Sequence, residues 1–224
     1  MTALTLAAAF FVGIHLLVAG TRARDRLIGW LGEGTYFGLF SAAALGGIVA
    51  MGWAYNRAPL LPLWDLGVGA KHAAALLVLL GFLLAVLGLT TRNPTAVGAE
   101  AGMAKQPSGV IAITRHPFLW GVLLWALAHL LANGDAASLV LFGAFGLLAL
   151  VGPFSLDAKK ARLRPEAWRG FAAATSWLPF LAMAQGRARL HLAELGWWRP
   201  ALAIALYLVF AFVLHEWLFS VKPV

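Results

Sequence analysis

Residues 114–135 read TRHPFLWGVLLWALAHLLANGD. Between Pro117 and Ala132 the only ionisable side chain is His129. A stretch of this composition buries in lipid or in a protein core, where an unpaired ionisable group is costly. Its arginine and two histidines therefore need compensation.

The rest of the chain repeats the pattern. Of 224 residues, 62% are hydrophobic and 12% charged, against roughly 25% charged in soluble domains. Mean hydropathy is +0.83. No soluble fold hides that much apolar surface, so the chain reads as one membrane domain over residues 1–224. A spanning helix takes about 20 mostly apolar residues. Such segments lie near 2–20, 34–53, 70–90, 115–132, 136–154 and 200–219, with Gly, Pro and charge between them. The expected fold is all-α, a polytopic membrane helix bundle of about six transmembrane helices. Residues 171–190, FAAATSWLPFLAMAQGRARL, read as an interfacial or re-entrant helix. The arginines follow the first apolar stretch instead of preceding it, so no cleavable signal peptide is expected.

With six spans, alternate loops share a side. Arg22, Arg24, Arg26, Arg92, Lys105, Arg115 and the eight Lys/Arg between 159 and 199 fall together, fourteen in all. Arg57, Lys71 and Lys222 make three on the other side. The positive-inside rule then places both termini outside the cytoplasm, in the periplasm of a bacterial inner membrane. The formal charge of +8 fits basic loops at an anionic leaflet, with membrane lipid and no nucleic acid as partner. The absence of cysteine excludes disulfides, iron–sulfur clusters and thiolate ligands. Nothing in the sequence sets an oligomeric state.

Five of six histidines, His15, His72, His116, His129 and His215, lie in or beside apolar spans; His191 lies in a basic loop. One such residue reads as a neutral ring bonded to a neighbouring helix. Five together point to a cofactor, since neutral imidazole binds metals and haem iron takes one or two from facing helices. Deep carboxylates are scarce, Glu216 being the exception, so a carboxylate-bridged di-iron site is not expected. On a helix from Arg115 to His129, fourteen residues of about 100° each leave the two about 40° apart. Phe118, Val122 and Ala126 fall on the same face, an apolar strip suited to a flat ligand. Arg115 then either holds a porphyrin propionate or snorkels to the cytoplasmic surface. His116, about 140° from His129, reads as holding the helix start ahead of Pro117. Glu216 is a candidate acceptor for His215, and Gly46 and Gly47 read as a close helix contact. Trp53, Trp64, Trp197 and Trp198 read as an interfacial belt.

The run ITRHPFLWGVLLWALAHLLANGD, with FFVGIHLLVAG in the first span and TSWLPF near the end, resembles the NnrU family. That family includes the 15-cis-ζ-carotene isomerases. The resemblance implies an integral membrane protein binding one haem b, an iron porphyrin. In the isomerase branch it implies haem-dependent cis–trans isomerisation of a carotene, a step of carotenoid biosynthesis. In the bacterial branch it implies a role in denitrification and nitric oxide metabolism. The ligands it implies here are His15 and His129, which are thereby also the candidate catalytic residues. Arg115, His116, Val122 and Ala126 are the expected cofactor contacts, and His72 is the reserve ligand. The isomerase's cysteine, three residues before the second ligand, is Ala126 here, so no thiolate exchange is available.

Two other classes stay open. A haem sensor or accessory for nitric oxide metabolism would need an open or weakly held axial position. The R-H-P motif with Gly121 also resembles membrane methyltransferases that bind S-adenosylmethionine. Those carry a pair of glutamates after the next span, where this chain has LDAKKARL with one carboxylate, Asp157.

Overall fold

The chain folds as a polytopic helical bundle in the computed structural model, which describes residues 1–95, 102–103 and 106–223. Lys105 lies outside the described residues. Helix α1 spans Thr2–Ala19. Then come α2 (Arg22–Leu31), α3 (Glu33–Tyr55), α4 (Gly67–Thr90), α5 (Pro117–Ala132), α6 (Ala136–Leu163) and α7 (Pro165–Ala174). The last, α8, is Trp198–Phe219. Among the described residues there is no strand beyond one bridge, Pro62 to Asp135.

Five of these helices, α1, α3, α4, α6 and α8, are long and apolar enough to cross a membrane. The sixth expected span is shorter: α5 has 16 residues and starts at Pro117, not at 115. A residue before proline is pushed out of the helical region, and His116 sits at φ −122°, ψ 54°. The expected span 136–154 instead continues to Leu163, through the good helix formers of DAKKARL. Residues 171–190 are not one helix. The chain leaves α7 at Ala174, runs irregularly through Thr175–Phe180 and makes one turn at Leu181–Ala184.

Close packing fixes the interior. α4 and α5 cross at paired glycines: a Cβ on Gly121 would stand 2.6 Å from the Gly81 carbonyl oxygen, and one on Gly81 2.9 Å from that of Gly121. Lower down, a Cβ on Gly88 would meet Pro117 and Phe118 at 2.9 Å. α1 lies on α6 and α3 through Leu4, Ala8 and Phe11 against Ala137, Ala144, Met51 and Ala54. Gly47 meets Phe11 as expected, whereas Gly46 faces open space. α8 leans on α4, where the Tyr207 hydroxyl donates to the Ala75 carbonyl at 3.2 Å.

The connections sort to two ends. At one, Leu63 and Trp64 donate to the Gly134 carbonyl at 2.7 and 3.1 Å. Asp135 caps α6 there, accepting from the Ser138 amide at 2.9 Å and hydroxyl at 2.6 Å. At the other, Arg162 pairs with Asp25 at 2.8 Å and the Arg115 amide donates to Ser176 at 2.9 Å. The charge-rich loops thus gather opposite the chain termini. Trp53, Trp197 and Trp198 are exposed at helix ends, while Trp64 donates to the Leu130 carbonyl at 3.1 Å.

Candidate functional site

The head of α5 is built from α6 and the irregular segment after α7. Arg115 donates through Nε and Nη2 to one oxygen of Asp157, at 2.9 and 2.5 Å. Nε2 of His116 lies 2.7 Å from the other oxygen. His116 is 2% exposed, and the guanidinium also rests over the Trp168 ring at 5.4 Å. Trp177 closes the site from below: its carbonyl accepts from Thr114 Oγ1 and Trp120 Nε1, both at 2.7 Å, and its ring stacks on that of Trp120. One carboxylate therefore satisfies a buried guanidinium and an imidazole together. This is the compensation the opening stretch requires, and its source, Asp157, went unrecognised in sequence. Because Arg115 precedes the helix and is bound to α6, it does not stand on the strip of His129. The side chains of Arg115 and His116 are both engaged by Asp157.

His15 lies in a π-helical turn, Ile14–Ala19, that ends α1. Such turns insert an extra residue and often mark functional positions. Its Nδ1 is 2.7 Å from the Phe11 carbonyl, so Nδ1 carries the proton and Nε2 the lone pair. The ring packs between Phe11 and Phe40, with centroids 4.5 and 5.1 Å away. It lines a cavity of about 340 Å³ between α1, α5 and α6, within the range of about 300–1,000 Å³ usual for ligand sites. Phe118, Leu119 and Val122 form its α5 wall, and Lys159 lines the end toward the basic loops. The apolar strip expected on α5 thus faces His15. Ala126 does not reach this cavity; it is buried against Gly146.

His129 is placed elsewhere. Its Nδ1 donates to the Trp125 carbonyl at 2.8 Å and its ring stacks on Phe142 with centroids 4.5 Å apart. It lines a smaller cavity of about 140 Å³ near the opposite end, shared with Lys71, Tyr207, His215 and Lys222. His72 is not the neighbour of His129: it is exposed and bonds only within its own helix, to the Val68 carbonyl at 2.9 Å. His215 takes that place, and its Nδ1 donates to the Val221 carbonyl at 2.8 Å, not to Glu216. Glu216 stands 3.8 Å from Lys222, both largely exposed.

His15 and His129 are therefore not brought to one site. Phe11 meets Phe145 and Gly20 abuts Ser155, which sets His15 level with residues near 149 of α6, whereas His129 stacks on Phe142. About seven residues of α6 separate those levels, about 10 Å of rise. An aromatic chain fills the gap: Trp125 touches His129 at 4.7 Å and Phe145 at 5.4 Å, and Phe145 touches Phe11 at 5.3 Å. Two imidazoles on opposite faces of one iron do not fit this arrangement. His15 by itself leaves Nε2 as the unprotonated nitrogen, and the residues that line the cavity with it are largely apolar. Among the described residues no cluster of three or more His, Asp or Glu is placed to hold a bare metal ion.

Comparison with known proteins agrees with the resemblance. The family profile described as NnrU protein matches residues 3–223. The chain is 34% identical to the chloroplastic 15-cis-zeta-carotene isomerase of Zea mays over 85 residues, 37% of this chain and 23% of that protein. It is 34% identical to the same-named protein of Arabidopsis thaliana over 82 residues, 36% of this chain and 22% of that one. The matched stretch thus spans less than a quarter of either relative. No solved structure matches the chain.

Proposed function

We propose, from the premise that this chain belongs to the NnrU protein family, that it is an isomerase-like membrane protein acting on a long apolar polyene. The observation that carries the reading is the His15 cavity, an apolar slot between α1, α5 and α6 with one imidazole in its wall. The identity to carotene isomerases supplies the substrate class. The fourteen basic residues that alternate loops of the sequence put on one side favour that side in the cytoplasm of a bacterial inner membrane, with both termini outside.

Rotation about a double bond requires its π overlap to be weakened, by proton or electron transfer. The protein's part is to seat the polyene, exclude water and present a fixed nitrogen. Phe118, Leu119 and Val122 give the seat, and the bond from Nδ1 to the Phe11 carbonyl fixes the His15 ring and leaves Nε2 unprotonated. Haem b, in this reading, is held by His15 alone and supplies one-electron chemistry when bound. His129 has no share in it.

The test is expression with a pathway that makes 15-cis-ζ-carotene, followed by chromatography of the isomers in darkness. The expected result is conversion that His15→Ala abolishes and His129→Ala leaves largely intact. An isomer ratio indifferent to the chain would overturn the reading. The purified protein should also show a Soret band that is lost in His15→Ala and kept in His129→Ala.

A further inference from the structure

The cavity beside His15 is apolar along its length but ends at a lysine, and that lysine is short of a counter-charge. Lys159 is 7% exposed. Its Nζ makes a long hydrogen bond, to the Ala19 carbonyl at 3.5 Å. Like charge crowds it: Arg24, Lys160 and Arg162 act on it, and among the described residues Asp25 is the acid that offsets them. Asp25 is already engaged, accepting from Arg24 at 3.3 Å and from Arg162 at 2.8 Å. A buried cation without a partner costs several kcal/mol; shedding the proton or binding an anion relieves that cost, and only the anion keeps the ammonium charged. Arg115, which the sequence alone would offer to an acidic ligand, is held by Asp157 and cannot serve here.

We infer that Lys159 receives a carboxylate borne by the apolar ligand of the His15 cavity. The slot takes the hydrocarbon body, and the ammonium takes the acid at its cytoplasmic end. This rests on reading that cavity as the ligand site, and it adds that an occupant bearing an acid is held there more tightly than a neutral one of the same shape. The same carboxylate could belong to a chain-terminal acid or to a porphyrin propionate, and both carry the same chemistry to Nζ.

The experiment uses the full chain in nanodiscs. Binding of tritiated all-trans-retinoic acid is competed with unlabelled all-trans-retinol, a neutral molecule of nearly the same shape. A second arm compares haemin with its dimethyl ester by absorbance titration. The wild-type protein should prefer the free acid in at least one arm, by about tenfold or more, as a charge-assisted bond in a dry site implies. Lys159→Met should erase that preference while keeping the neutral ligand's affinity. Lys159→Arg should restore most of it, which separates lost charge from lost folding. A preference in the retinoid arm alone marks a chain-end acid, and in the haem arm alone a propionate. Equal affinity for acid and neutral forms in both arms overturns the role of Lys159 but leaves the cavity as a site. An acid preference that persists in Lys159→Met overturns it equally. No binding of any of the four ligands overturns the cavity reading itself and this inference with it.

Discussion

Asp157→Asn removes one charge and leaves the side chain its size, so it isolates what the carboxylate does at the head of α5. In the native protein its two oxygens take two hydrogen bonds from Arg115 and one from His116, at 2.9, 2.5 and 2.7 Å. An amide offers one acceptor and one donor. Turned one way its N–H2 faces the Arg115 donors; turned the other it faces His116 Nε2, which must give up its proton to accept; either way the guanidinium loses its counter-charge. Breaking a buried pair costs about 3–5 kcal/mol. The Arg115 and Asp157 side chains keep 11% and 16% exposure, which argues for the lower end, about 3 kcal/mol. For a chain of this size each kcal/mol shifts Tm by about 2–4 °C, so the melting point should fall by about 6–12 °C. The assay is a thermal melt of detergent-solubilised protein followed by circular dichroism at a helical wavelength. The double variant Arg115→Met with Asp157→Leu should cost less than the sum of the singles, because no charge is then stranded. If Asp157→Asn melts within about 2 °C of wild type, less than 1 kcal/mol on the same scale, this network does not anchor α5. The two side chains would then be available to a ligand, and the methyl-transfer resemblance would regain force.

Other expectations concern the helix crossings and the caps. Gly121→Ala would place its Cβ 2.6 Å from the Gly81 carbonyl oxygen and 2.9 Å from the Ala85 amide nitrogen; backbone cannot yield there, so a loss of about 1–3 kcal/mol is expected in the same melt. Gly46→Ala is its control: that Cβ meets nothing within 4 Å, and the gain in helix propensity should leave stability equal or up to about 1 kcal/mol higher. Gly134→Ala should be worse than either, since its Cβ would collide with the Trp64 carbonyl at the turn that joins α5 to α6; loss of folded, monodisperse protein on size exclusion is the readout. Asp135→Ala removes both cap bonds to Ser138, at about 1 kcal/mol, visible as faster exchange of the first amides of α6 relative to wild type.

How much of this could be read from residues follows from what lipid does to sequence signals. A bilayer demands length and low polarity, and both are written in composition, so the spans at 34–53 and 70–90 lie inside α3 and α4 almost end to end. Pro117 marks where α5 starts, which leaves Arg115 outside the helix and off the face of His129. The outcome differs for faces. In a soluble helix the polar side declares itself, but these helices are apolar all round. On α1, Leu4 and Phe11 are buried while Leu6 and Leu17 face outward, and nothing in the residue types separates them. The choice of partners therefore went unread: His129 meets His215 and not His15 or His72, because tilt and glycine crossings decide which face turns inward. Asp157 was equally hidden, since its contact with Arg115 spans 42 positions of chain.

That same blindness bears on the site. Ionisable groups in apolar helices are informative only once each is matched with its compensation, and here the matching sorts them into two kinds. Arg115 and His116 are fully answered by Asp157, so their cost in the interior is met by the fold and they need no ligand to explain them. Lys159, buried with Asp25 already engaged, is not answered among the described residues, and His15, with Nε2 unprotonated, lines an apolar slot. A residue whose burial the protein itself offsets belongs to the scaffold; one whose burial is left open points at what binds. By that criterion the proposed site lies at the end where α1 closes in its π turn beside Lys159, and the R-H-P motif, for all its prominence in the sequence, clamps the head of α5 to α6 through Asp157.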